Sequence, residues 1–171
     1  MNQMTSAAQQ TLNARYKFTT FIIVMFGVTV IVFMLVGRIV ALMAARELSG
    51  EQYRRFYFAA IAIGIGVVML RRVLLSDLQM KVVAQRGVNA VLGRMSTVSI
   101  IGAALGETVG ILGLIASILT GDADFSWRLG VVGIMLIAYS FPRRWEWAKQ
   151  VTAAEICSAS AQSAPAQKLF S

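Results

Sequence analysis

The chain has 171 residues, 57% of them hydrophobic and only 14% charged, with a formal net charge of +8 and no histidine. Soluble domains carry nearer a quarter charged residues, so this balance excludes an ordinary water-soluble fold and points to a helical membrane protein. The period-two alternation of a membrane β-barrel is missing, which leaves helices as the spanning element.

Residues 1–17 read as a short polar cytoplasmic tail carrying Arg15 and Lys17. The first apolar run, Phe18 to Gly37, is too long for a signal-peptide core and no A-x-A pattern follows it, so it is predicted as a retained span. Arg38 would snorkel at its far end. A segment of mixed charge leads to the second run, Phe56 to Leu70, whose 15 residues make about 23 Å of helix against a core of about 30 Å. The predicted span therefore extends to Leu75, with Arg71 and Arg72 snorkelling. Residues 76–96 are expected to prolong both flanking helices and to turn near Gly87.

The third run, Thr97 to Leu119, is followed by a tight acidic turn, Gly121–Asp122–Ala123–Asp124. The fourth, Trp127 to Phe141, is stopped by Pro142. Trp127, Trp145 and Trp147 read, with Arg143, Arg144 and Lys149, as an interfacial belt of aromatics and cations. Residues 150–171 are rich in Ala, Ser and Gln and are predicted to be disordered. The expected fold is thus all-α and polytopic: a transmembrane domain over 18–149 with four helices at about 18–37, 56–75, 97–119 and 127–141.

Charge then sets the orientation. Arg15, Lys17, Arg71, Arg72, Lys81, Arg86, Arg94, Arg143, Arg144, Lys149 and Lys168 fall on one side, 11 of the 16 basic residues; Arg38, Arg46, Arg54, Arg55 and Arg128 fall on the other. The positive-inside rule puts both termini in the cytoplasm of a bacterial plasma (inner) membrane. A basic excess confined to the gaps between spans gives no reason to expect nucleic acid. The single cysteine, Cys157, allows no intrachain disulfide or metal pair. Without histidine the commonest zinc ligand, haem ligand and general base are gone. No metal, no cofactor and no enzyme activity are predicted.

One carboxylate, Glu107, stands almost at the midpoint of the third run. An ionisable side chain at that depth costs about 2.5–3.5 kcal/mol on insertion scales, which makes it the candidate ion-binding residue. With no cation at its depth it is expected to be neutral in hydrocarbon. Around it Gly102, Gly106, Gly110 and Gly113 recur at helix-packing intervals, and the second run offers Gly64 and Gly66. Two readings stay open: a site for H⁺ or Na⁺, or a neutral carboxyl hydrogen-bonded to a neighbouring helix as structural glue.

Residues 59–119 resemble the helical hairpin of subunit c, the proteolipid of rotary ATP synthase rings. The likeness lies in the glycine-rich AAIAIGIGVV, the loop residues Ala84–Gln85–Arg86, and the carboxylate helix IIGAALGETVGILGLIASIL. It implies Glu107 as the ion-binding carboxylate, with Gly64 and Gly66 as ring-packing glycines. The first and fourth spans have no counterpart in a two-helix subunit c. The whole chain also resembles small four-span bacterial membrane proteins with a terminal F-P-R…W motif, here Phe141–Pro142–Arg143 and Trp145. Besides the lipid bilayer, the expected partner is a second copy of the chain or a larger membrane complex, in which the protein would be an accessory or assembly subunit.

Overall fold

Each apolar run lies within a helix, save Phe141 at the end of the fourth. The computed structural model describes residues 5–41, 43 and 50–167. Its elements are α1 (Ser6–Ala41), α2 (Gly50–Leu74), α3 (Asp77–Ala84), α4 (Val88–Thr120), α5 (Ala123–Ser140) and α6 (Arg144–Gln167). Arg46, Lys168 and residues 1–4, which enter the expectations above, lie outside the described residues.

Local chemistry places the breaks. Gly87, at φ 92°, precedes α4, and Gly121, at φ 70°, caps its C-terminus in the left-handed region that favours glycine. Asp122 then caps α5, its side chain accepting from the Asp124 N–H at 2.9 Å. At the far end of α5, Phe141 is extended, as the residue before a proline tends to be, and α6 starts just beyond Pro142.

Contacts along the helices fix their directions. Thr19 and Ser96 share a buried hydroxyl–hydroxyl hydrogen bond at 2.7 Å, and Val30 lies against Gly110, so α1 and α4 run parallel. Gly102 meets Ser140, Gly106 meets Ile137, and Gly113 meets Leu129, so α5 runs antiparallel to α4. Val67 of α2 is near Gly102, whereas Ala60 clusters with Val109 and Ala116, so α2 is antiparallel to α4 as well. The arrangement is up, down, up, down. Helix α4 is the centre, packing most extensively on α5 and α1 and less on α2.

The outward faces are apolar. Phe21, Val24, Val28, Ile31 and Leu35 of α1 and Phe58, Ile61, Ile65 and Met69 of α2 are all exposed. In water such a surface would be an association site; in lipid it needs nothing further. Four helices are long and apolar enough to cross a membrane.

Helices α1 and α4, of 36 and 33 residues, are about 54 and 50 Å long, more than a bilayer core requires. Their N-terminal turns project together, and α3 and α6 pack across them. Leu12, Met80, Ala84, Val91, Leu92, Met95, Trp147 and Val151 form a second buried cluster there. The Thr5 hydroxyl donates to Glu155 at 2.5 Å, tying the chain's start to α6.

Only α4 is prolonged into the 76–96 segment, since α2 ends at Leu74 and α3 is a separate helix after the extended Ser76. Two further features depart from the sequence reading. Trp147, expected in an interfacial belt with Trp145, is 2% exposed and packs edge-on to Tyr16, while Trp145 is 64% exposed. The segment expected to be disordered from residue 150 continues α6 as far as Gln167. The reason is shared. The projecting turns of α1 and α4 supply an apolar surface, and a helix that buries Trp147, Val151 and Ala154 on it recovers its ordering entropy.

Candidate functional site

The site is built on α4, whose small residues divide between two neighbours. Toward α5, the position of a side chain on Gly106 would lie 2.9 Å from the Gly133 carbonyl oxygen and 2.8 Å from Ile137. The reciprocal position on Gly133 lies 2.7 Å from the Gly106 oxygen, so the two backbones touch. Gly113 meets Leu129, and Gly102 meets the Ser140 hydroxyl. Toward α1, a side chain on Gly110 would lie 3.0 Å from Val30, and Ala103 joins Ile23 and Val30 in a buried cluster. The predicted glycines of the second run lie elsewhere. A side chain on Gly64 would lie 3.9 Å from Leu136 of α5, and one on Gly66 would meet nothing within 4 Å.

Glu107 follows from this register. A helix turns about 100° per residue, so Glu107 is carried round from Gly106 toward the α1 side. Ala103 and Gly110, one turn away on one flank, are buried, whereas Thr108 and Ile111 are exposed. The carboxyl is therefore half-buried, on the margin between the packed and open faces of α4.

No hydrogen-bond or ion-pair partner for Glu107 is present among the described residues. The hydroxyl next to it, on Thr108, is bound to the Ala104 carbonyl of its own helix at 3.0 Å. Asp122, Asp124, Glu146 and Glu155, by contrast, are engaged. Asp124 pairs with Arg128 at 3.1 Å, Glu146 with Arg71 and Arg143 at 3.7 Å, and Glu155 accepts from Thr5. The neighbours level with Glu107, Val30 on α1 and Ile137 on α5, are apolar, and Arg38 lies about 12 Å further along α1 than Val30.

Sequence reading missed the partners of the α4 glycines. On α5 they are Ser126, Leu129, Gly133, Ile137 and Ser140, while Gly110 meets Val30 of α1. The signal is present as small residues spaced four and three apart in the fourth run. Of the tryptophans, Trp127 is exposed at the start of α5, at the opposite end from Trp145.

The class defined by these features is an all-helical chain with four helices long and apolar enough to cross a membrane, built on one glycine-lined central helix. Comparison with protein-family models, curated proteins and solved structures finds no match.

Proposed function

We propose that the protein is a small multi-pass membrane protein whose Glu107 is a protonatable carboxyl that binds H⁺ or Na⁺. The observation that carries this reading is the placement of Glu107 on the margin of α4, half-buried and without a partner among the described residues. Glue within one chain would need a hydrogen-bond acceptor or donor beside it. A carboxyl without one is neutral in hydrocarbon and ionises on meeting a cation or water, which is the behaviour of an ion carrier. The likeness of residues 59–119 to the subunit c hairpin supports the same chemistry. In the full-length protein in its membrane, a permeant carbodiimide is expected to label Glu107 selectively. Labelling falls as pH rises, and sodium protects if sodium is the ion. Absence of labelling at every pH would remove the proposal.

The open margin also favours a second reading, an accessory subunit in a larger membrane complex whose neighbouring chain covers Glu107. Co-migration with a defined complex, with Glu107→Gln leaving ion transport unchanged, would select it.

The charge bias supports a bacterial plasma membrane orientation with α3, α6 and both termini in the cytoplasm. Cys157 is exposed on α6, beyond the last span. An impermeant maleimide is expected to label it in inverted vesicles and not in intact cells. The opposite pattern would reverse the orientation.

A further inference from the structure

We propose that the groove between α2 and the α5–α6 junction binds the phosphodiester headgroup of an anionic phospholipid. The inference rests on the membrane reading above but not on any role of Glu107. The groove has a volume of about 510 Å³ and is lined by Arg71, Arg72 and Arg143, with Tyr139, Glu146 and Val68. Three guanidiniums face one carboxylate, which leaves two positive charges in excess. Glu146 does not cancel them by tight pairing, since it stands 3.7 Å from both Arg71 and Arg143.

Arg71 is held in place by the chain break. Pro142 has no N–H and stops α5, so carbonyls in the last turn lack their helical donors. One of them, on Tyr139, accepts from the Arg71 guanidinium, which also lies 4.8 Å over the Tyr139 ring. A guanidinium fixed in this way keeps further N–H groups for a phosphate, to which its planar fork is suited. Arg72 and Arg143 stand beside it, exposed and without a fixed acceptor that would satisfy the whole fork.

The walls below the groove distinguish a lipid from a soluble anion. On α2, Val68, Ile65 and Ile61 follow Arg72 at intervals of four, three and four residues, and all three are exposed. On α5, Met135 and Val132 follow Tyr139 in the same sense, also exposed. An acyl chain fits along either row while its phosphate reaches the arginines. Basic pockets between spans on the cytoplasmic side are the known setting for anionic headgroups.

The test uses the full-length protein purified in neutral detergent, with native mass spectrometry and thermal unfolding as readouts. Phosphatidylglycerol is expected to bind about tenfold more tightly than phosphatidylcholine, and R72Q/R143Q to lose that preference, while R72K/R143K retains most of it. Inorganic phosphate is not expected to compete. Equal binding of the two lipids, or an R72Q/R143Q protein that still prefers phosphatidylglycerol, overturns the proposal. If the double variant does not fold, the comparison of the two lipids on the unsubstituted protein decides alone. Competition by inorganic phosphate identifies a soluble-anion site and overturns the lipid assignment. Recovery of the protein outside the membrane fraction refutes the membrane reading and this site together, whereas membrane-bound protein without headgroup preference refutes the site alone.

Discussion

Trp147→Ala is expected to destabilise the α3–α6 end by about 3–5 kcal/mol, the cost of truncating a large aromatic in a well-packed site. Trp147 is 2% exposed, edge-on to Tyr16 with ring centroids 6.0 Å apart, and surrounded by Leu12, Leu92 and Val151. It is the largest side chain holding α6 against the projecting turns of α1 and α4. The variant should release α6 while leaving the span bundle helical, read as faster tryptic cleavage after Arg144 and Lys149 at unchanged membrane helix content. Trp145→Ala is the control. That ring is 64% exposed, and its loss should stay within about 0.5 kcal/mol. Equal effects of the two substitutions would mean that α6 does not dock through Trp147.

Gly106→Ala is expected to cost about 1–3 kcal/mol, and Gly106→Leu more, because the added carbon overlaps backbone of α5 as well as the Ile137 side chain. The position it would occupy is 2.9 Å from the Gly133 oxygen and 3.1 Å from the Ile137 nitrogen. Relief requires α5 to separate from α4, which weakens the contacts of Gly102 and Gly113 with it. Gly66→Ala should act in the opposite sense. Nothing lies within 4 Å of that position, and a helical Gly→Ala replacement in open space gains about 0.5–1 kcal/mol. Unfolding of the reconstituted protein measures both, and a Gly106→Ala variant as stable as Gly66→Ala would show that the two backbones are not in contact. The comparison also bears on the subunit c likeness. A hairpin that packs through its own glycines should be sensitive at Gly64 and Gly66, whereas the bundle seen here is sensitive at Gly106 and Gly133.

Much of this protein is legible before any coordinates. Four apolar runs, a glycine at residue 87, a glycine–aspartate pair at 121–122 and a proline at 142 mark where helices form and stop, because each acts locally. Apolar length needs a bilayer or a core, a positive φ favours glycine, and proline removes a donor. That Glu107 stands near the middle of the third run follows equally from counting along it. Which helix the glycines of α4 meet does not. In a bundle surrounded by apolar surface, the packed and open faces have nearly the same composition, so periodicity cannot tell inside from outside. The tertiary structure decides that Gly106 touches Gly133, that a side chain on Gly66 would meet nothing, and that Glu107 stands on the margin between α4's packed and open faces. It also decides the two neighbouring tryptophans. Trp145 and Trp147 are chemically the same at an interface or in a core, and only the apolar surface that α1 and α4 extend beyond the spans gives one of them something to bury against.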